Sequence, residues 1–380
     1  MAEEVWMLQT KKADFKQIGA RFRIDPVTAR IIRNRGIEGE AAIDRYLNGT
    51  LDDLYDPMLL KDMERAVSIL CEAVDTGKKI RIVGDYDIDG VCSTYILLQA
   101  FERLGSDVDF EIPDRIKDGY GINESIIEQA HADGVEVILT CDNGISAFHQ
   151  VELAKKYGMT VVITDHHEVP LDGEKEKIPP ADAVIDPKQA DCPYPFPEIC
   201  GAVVAYKLVQ VLYARRGVPQ MEWLDLLEFA AIATVGDVMK LQDENRILVK
   251  YGLKKMAQTK NLGLRRLAEK NNLDLGAITA YHIGFVIGPC LNAGGRLKTA
   301  KEALALLRAQ SEEEAERLAE ELKELNDTRK DMTEQGTEAA KLQVESWYQK
   351  DKVLVVFLPV LGGIIYIFTG RTKACGKIQR

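Results

Sequence analysis

Short β-rich runs alternate with helical ones from residue 79 onward, and this rhythm predicts an α/β protein: a parallel sheet flanked by helices. Four runs carry the prediction: KIRIV, the segment 107–112, the segment 135–140 and TVVIT. They are separated by stretches of helical character, as right-handed βαβ units require. Three of the four also run into polar motifs, GDYDIDG, CDNGIS and DHHE. Ligands of such sheets bind beyond the carboxyl ends of the strands, so one fold would bring all three motifs to one edge.

Taken in order, residues 1–76 read as a helical N-terminal cap interrupted at Gly36 and Gly39. Within it, 61–74 places Met63, Ala66, Val67, Leu70 and Val74 on one helical face. Residues 77–305 read as the catalytic domain with a helical extension. There KIRIV leads to the aspartate loop, 91–104 is a helix and 107–112 a strand, followed by the polar loop IPDRIKDGYG. Residues 123–132 are a helix, 135–140 a strand ending at CDNGIS, 147–157 a helix, and TVVIT a strand ending at DHHE.

A proline-punctuated connection from Pro170 to Pro197 reads as surface wrapping without a regular element. Apolar helices follow at 201–213 and 223–234, the second ending at VGDVM. The segment IGPCLNAGGRL reads as a glycine-rich loop. Residues 306–350 hold a long charged connecting helix with Ala315, Leu318, Leu322 and Leu325 as its apolar stripe, the acidic SEEE at its start and Gly336 as a possible bend. The tail VLVVFLPVLGGIIYIF is shorter than a bilayer-spanning helix and broken by Pro359, Gly362 and Gly363, so it reads as a buried strand, a turn and a broken element.

Composition narrows the function. The chain has 380 residues and is 46% hydrophobic, enough for a large core. The start, MAEEVWML, has no basic segment leading an apolar run, and the seven cysteines include no CxxC pair, as expected of a reducing cytoplasm without a zinc ribbon. A net charge of −11 weighs against a broadly basic nucleic-acid surface but says nothing of a local groove.

Asp85, Asp87 and Asp89 recur on alternate residues, so an extended chain would project all three to one side, where like charges need a cation between them. Asp142, Asp165, His166 and His167 would arrive at the same edge, and Asp237 from a helix end. Hard carboxylates with imidazoles suit Mn²⁺ or Mg²⁺, and the carboxylates are too many for one ion. Two ions would neutralise the cluster and serve in-line displacement at phosphorus. Taken singly, Asp142 could be a turn residue, the histidine pair an incidental polar strand end, and Asp237 a helix-terminal turn. Together, with three of the four motifs at strand ends of one sheet, those readings are hard to sustain.

GDYDIDG, CDNGIS, DHHE and VGDVM, in this order, resemble the motifs of the DHH phosphoesterases. With IPDRIKDGYG and IGPCLNAGGRL, the chain resembles the RecJ family of single-strand-specific DNA exonucleases within that superfamily. The resemblance implies the DHH phosphoesterase fold, with Asp85, Asp87, Asp89, Asp142, His166 and Asp237 holding two Mn²⁺ or Mg²⁺ ions. It implies that His167 touches the scissile phosphate, that Asp165 orients a histidine, and that Arg115, Tyr120, Asn292 and Arg296 hold the strand end.

It further implies 5′→3′ hydrolysis of single-stranded DNA to mononucleotides in repair and recombination, with a single-strand-binding protein and a helicase as candidate partners. A phosphoesterase of short oligonucleotides and a non-catalytic scaffold are the alternatives; the second would be expected to have lost metal ligands. Departures are Val203 and Lys298, where glycine and aspartate are usual. Residues 351–380 look like an incomplete start of the DHH-associated domain, as from a truncated or frame-shifted end.

Overall fold

The structure, a computed structural model, describes residues 11–115, 119, 121–347, 353–358 and 364–369. Three short helices open it, α1 (Phe15–Phe22), α2 (Pro26–Asn34) and α3 (Glu40–Asn48). Asp14 and Asp25 cap the first two by accepting from backbone amides, and Pro26 supplies a first-turn position that needs no N–H donor. Ile32, Ile37, Ile43 and Tyr46 form a small core of their own. In contrast, α4 (Met63–Asp75) joins the main core, packing on the sheet and burying Met63, Ala66, Val67, Leu70 and Ala73. The fifth position on that face is Ala73 and not Val74, which is only partly buried.

The strands are β1 (Ile80–Val83), β2 (Val108–Glu111), β3 (Val137–Cys141), β4 (Thr160–Thr164), the two-residue pair β5 (Leu171–Asp172) and β6 (Lys175–Glu176), and β7 (Ala183–Ile185). Five of them make one all-parallel sheet in the order β2-β1-β3-β4-β7. Helices α5 (Ile88–Arg103), α6 (Glu124–Ala132) and α7 (Phe148–Lys156) are the crossovers. Both faces of the sheet are covered, which is why β1, β3, β4 and β7 are buried nearly throughout, while the edge strand β2 is half-buried. The chain leaves β1 for one side and returns past it to β3, so the strand order reverses between β1 and β3, where open sheets of this kind bind ligands.

Three expectations need correction here. The proline-rich connection holds a regular element after all, β7, which is completely buried against β4; three apolar residues between prolines are too short a run for periodicity to reveal. The motif GDYDIDG is not extended throughout. Asp87 is the N-cap of α5 and Asp89 lies in its first turn, so the helix begins at Ile88 rather than at 91. IGPCLNAGGRL is likewise no loop, but mostly the helix α14 described next.

The second half is helical: α8 (Gly201–Arg215), α9 (Gln220–Leu224), α10 (Leu227–Gly236), α11 (Asp243–Met256), α12 (Leu262–Lys270), α13 (Ala280–His282), a π-helical turn (Ile283–Ile287), α14 (Gly288–Leu297), α15 (Lys301–Arg308) and α16 (Glu312–Trp347). The glycines of α14 serve close packing: a side chain on Gly295 would collide with the Tyr86 carbonyl oxygen, so this helix is pressed onto the first motif. The long α16 runs through Gly336 as one helix and lies against α12, α14 and α15, with Ala315, Leu318 and Leu322 buried. The tail forms an antiparallel pair, β8 (Val353–Leu358) and β9 (Ile364–Thr369), so its second element is a strand. Among the described residues no helix is long and apolar enough to cross a membrane.

Candidate metal centre

Register builds the site. Val83 pairs with Thr140, Thr140 with Ile163, and Ile163 with Val184. Two residues beyond each of these positions stands an aspartate: Asp85, Asp142, Asp165 and Asp186. Four neighbouring strands thus end on a row of carboxylates at one level. All four side chains are buried.

Asp85, Asp87 and Asp142 bring carboxylate oxygens within 4.8 Å of one another. Asp89, His166 and Asp237 form a second such group, and Asp142 with His166 and His167 a third. His166 Nε2 lies 3.1 Å from Asp142 Oδ1, 3.4 Å from Asp89 Oδ2 and 3.9 Å from Asp237 Oδ2. Asp142 therefore stands between two ligand groups. Its backbone is left-handed, φ 60°, a strained conformation of the kind that clusters at functional sites. Gly201 makes room for it, since a Cβ there would lie 2.7 Å from the Asp142 Cβ.

The cluster is held by backbone amides. Asp87 Oδ1 accepts from the amides of Asp89 and Gly90 (2.9 and 3.1 Å), starting α5. Asp89 accepts at both oxygens from the first amides of α8, Gly201 (2.7 Å) and Ala202 (2.8 Å), so the positive end of that helix fixes it. Asn143 donates to the carbonyls of Val83 (3.0 Å) and Cys141 (2.9 Å), tying β1 to β3 at the point where the sheet reverses order.

Asp165 accepts from the Ile145 and His166 amides at 2.9 and 2.7 Å and bonds to His167 Nδ1 at 2.7 Å. It thereby couples CDNGIS to DHHE and orients one histidine.

Burial, then the charge of Asp87, pushes Asp85 up to about 7; burial, then Asp89, does the same to Asp237. Burial and its acidic neighbours raise Asp87 and Asp142 too. Burial alone would raise Asp165, but the His167 hydrogen bond and charge outweigh it and hold it low. Burial also opposes a charge on His167, yet Asp165, Asp89 and Asp237 lift it to about 9; burial lowers His166. Asp87, Asp142 and Asp237, whose carboxyls burial and mutual repulsion push upward, stand with an imidazole that burial lowers, a strain that a cation among them would relieve. Asp85 Oδ1 is buried without a hydrogen bond, as a ligand atom held ready would be. With oxygen donors and imidazole, and no thiolate among the clustered ligand atoms, the set fits Mn²⁺ or Mg²⁺.

Of the other predicted residues, Arg115 sits over the Tyr86 ring at 5.1 Å, and Asn292 and Arg296 stand one turn apart on α14, the helix pressed onto Tyr86. These three gather beside the first motif. Tyr120 lies outside the described residues.

Sequence reasoning missed Asp186, because it missed β7, and missed Lys188. Asp186 accepts from the Lys188 amide at 2.8 Å, and burial, then Asp165, pushes it up to about 7. The Lys188 ammonium bonds Glu168 at 2.8 Å, next to the histidine pair, and its charge reaches Asp237 and His166. A cavity of about 200 Å³ opens beside His167, lined by Asn143, Ser146, Gln150 and Asp165 among others.

An aspartate and histidine cluster thus stands at the reversal point of a parallel sheet, built from the motifs that resemble those of the DHH fold. The model of the DHH family, N-terminal domain, matches residues 79–234. RecJ, the single-stranded-DNA-specific exonuclease of Bacillus subtilis, is 37% identical over 352 residues, covering 92% of this chain and 43% of that protein. Escherichia coli RecJ is 37% identical over 82% of this chain and 54% of its own length. A crystal structure of exonuclease RecJ bound to manganese superposes with a TM-score of 0.67 at 35% identity, covering 75% of this chain and 70% of that one. A Thermus thermophilus RecJ structure with Mn²⁺ gives 0.72 at 30% identity, covering 89% and 47%.

The chain belongs to the RecJ family. It spans about half the length of the curated relatives it matches.

Proposed function

We propose that the chain hydrolyses single-stranded DNA from the 5′ end to mononucleotides, using two divalent cations, Mn²⁺ or Mg²⁺, in repair and recombination. One observation carries the reading: Asp142 belongs both to the Asp85–Asp87 group and to the His166–His167 group, and His166 in turn faces Asp89 and Asp237, so its carboxylate would be shared by two ligand sets. When bound, the ions supply charge stabilisation at the phosphoryl oxygens and an activated water.

The chain's own residues do the rest. Amides of α5 and α8 fix Asp87 and Asp89 before any ion arrives. Asp165 keeps His167 cationic and oriented, so that it meets a phosphate with an N–H donor. Arg115, Asn292 and Arg296, beside Tyr86, hold the strand end, and Tyr120 is assigned to the same task by the family resemblance alone. In this reading residues 77–305 are the catalytic unit, 1–76 brace it, 306–350 connect it onward and 351–380 begin a further domain. A single-strand-binding protein and a helicase would supply the strand in the cytoplasm.

Incubating the purified chain with end-labelled single strands and Mn²⁺ tests the reading. Mononucleotides released from the 5′ end are expected. Release from di- to pentanucleotides alone would make the chain a short-oligonucleotide phosphoesterase, and no release with any divalent ion would overturn the proposal.

A further inference from the structure

Two aromatic rings lie in the open on α13 and the π-helical turn that follows it. Tyr281 is 64% exposed and Phe285 66%, and they stack on each other with centroids 4.7 Å apart and planes 27° from parallel. Tyr157, 37% exposed, is by contrast stacked on His131. Exposing two adjacent rings forgoes a large apolar burial, so such a pair calls for an occupant.

Position ties the pair to the chemistry. Phe285 lies in the π-helical turn Ile283–Ile287, which packs on α10 through Gly284, facing Val235. Two residues after Val235 comes Asp237. Ile88, from the first motif, sits between Gly236 and Gly288 and joins the turn's far end to the same loop. Val238 follows Asp237 and is 86% exposed. Its φ of 59° is an outlier for a β-branched residue, and π-helical turns are frequent at functional sites. Two unfavourable backbone conformations thus lie on either side of the Val235–Gly284 approach, each carrying exposed apolar side chains, and one adjoins a proposed metal ligand in sequence.

We infer that Tyr281 and Phe285 are a stacking platform for unpaired nucleobases of the strand whose phosphate lies at the metal cluster. The inference rests on the exonuclease reading and adds residues that position the substrate. Two rings and one valine expose at most a few hundred square ångströms, well below the area a stable protein interface needs. A nucleobase face fits that area, and every base has one, so stacking here holds a strand without reading its sequence. Bases seated there would set which phosphate reaches Asp237 and Asp142.

Fluorescence anisotropy in EDTA, comparing an oligo-dT strand with an abasic strand of equal length, separates stacking from phosphate binding and from turnover. The Tyr281→Ala/Phe285→Ala double variant should bind the dT strand about tenfold or more weakly, the abasic strand as wild type does, and Phe285→Trp should keep wild-type affinity. Equal binding of both strands by double variant and wild type would overturn the inference. So would an equal loss on both strands, no strand binding by wild type, or a wild-type dimer that the double variant splits with DNA affinity unchanged. Nucleotide release with Mn²⁺, read on the same wild-type preparation, reports separately: its failure sinks the exonuclease reading and leaves the stacking result standing.

Discussion

Helix α10 carries a perturbed carboxylate near each end, Glu228 buried and Asp237 half-buried, and the two ends teach different things. Glu228, near its start, is pushed up to about 7 by burial, and its Oε1 accepts from Thr259 at 2.6 Å. Asp237, at its end, is pushed to the same range, but by burial together with Asp89 and Asp87. The perturbation is alike and the surroundings are not. At the Glu228 end there is a cavity of about 440 Å³ with Asp225 already paired to Lys255 and Lys260, whereas the Asp237 end faces His166 and the acidic row of the sheet edge. A raised carboxylate marks burial; only convergence of several ligand atoms marks a site.

Substitutions can break or sharpen that contrast. Asp142→Asn should have the largest effect, lowering nucleotide release by at least about a hundredfold with the fold intact by circular dichroism, because one carboxylate serves two ligand groups. Near-normal release would remove Asp142 from the centre. Asp165→Asn should cost about 10–100-fold in kcat and little in KM, since Asp165 orients His167 without needing to touch substrate. A loss confined to KM would place it in strand binding.

Gly201→Ala should cost about 1–3 kcal/mol in urea melts and weaken turnover, because its Cβ would enter the Asp142 side chain and shift the amides that hold Asp89. Wild-type stability would mean that α8 can move away without consequence.

Glu228→Gln should leave turnover unchanged and alter stability only with pH. A folded pKa near 7 against an ordinary 4.5 means the folded state keeps its proton longer than the unfolded one. Stability therefore falls as pH rises from about 4.5 through 7, and the penalty is complete above 7. The amide variant should be more stable than wild type at pH 8, by up to about 3 kcal/mol, and should match it near pH 4. Equal stability at both pH values would show that Glu228 is solvated, and lost turnover would make its end of α10 part of the centre.

The motifs at the sheet edge were legible because each follows an apolar run and is short: GDYDIDG, CDNGIS and DHHE each place their aspartates through local chain geometry. The finer roles were not. Asp89 looked like one of three equivalent extended residues, but helix α5 starts under it and the amides of α8, more than a hundred residues on, take both its oxygens. Asp85, which spacing in the sequence could not tell apart from the other two, is the one with a buried oxygen left without a hydrogen bond. Asp186 escaped because three residues between prolines carry no period, and only pairing with β4 makes them a strand. The glycines of IGPCLNAGGRL suggested a loop, while the structure uses them to bring a helix against Tyr86. Tertiary contact decided each of these.

In the proposed centre Asp142 would contribute to two cation positions and Asp85 to one. Mn²⁺ titration by calorimetry, on wild type, Asp85→Asn and Asp142→Asn, tests it without reference to turnover. Two ions per chain are expected for wild type, one for Asp85→Asn, and weakened binding at both positions for Asp142→Asn. An Asp142→Asn protein that still takes up two ions with wild-type affinity would contradict the account.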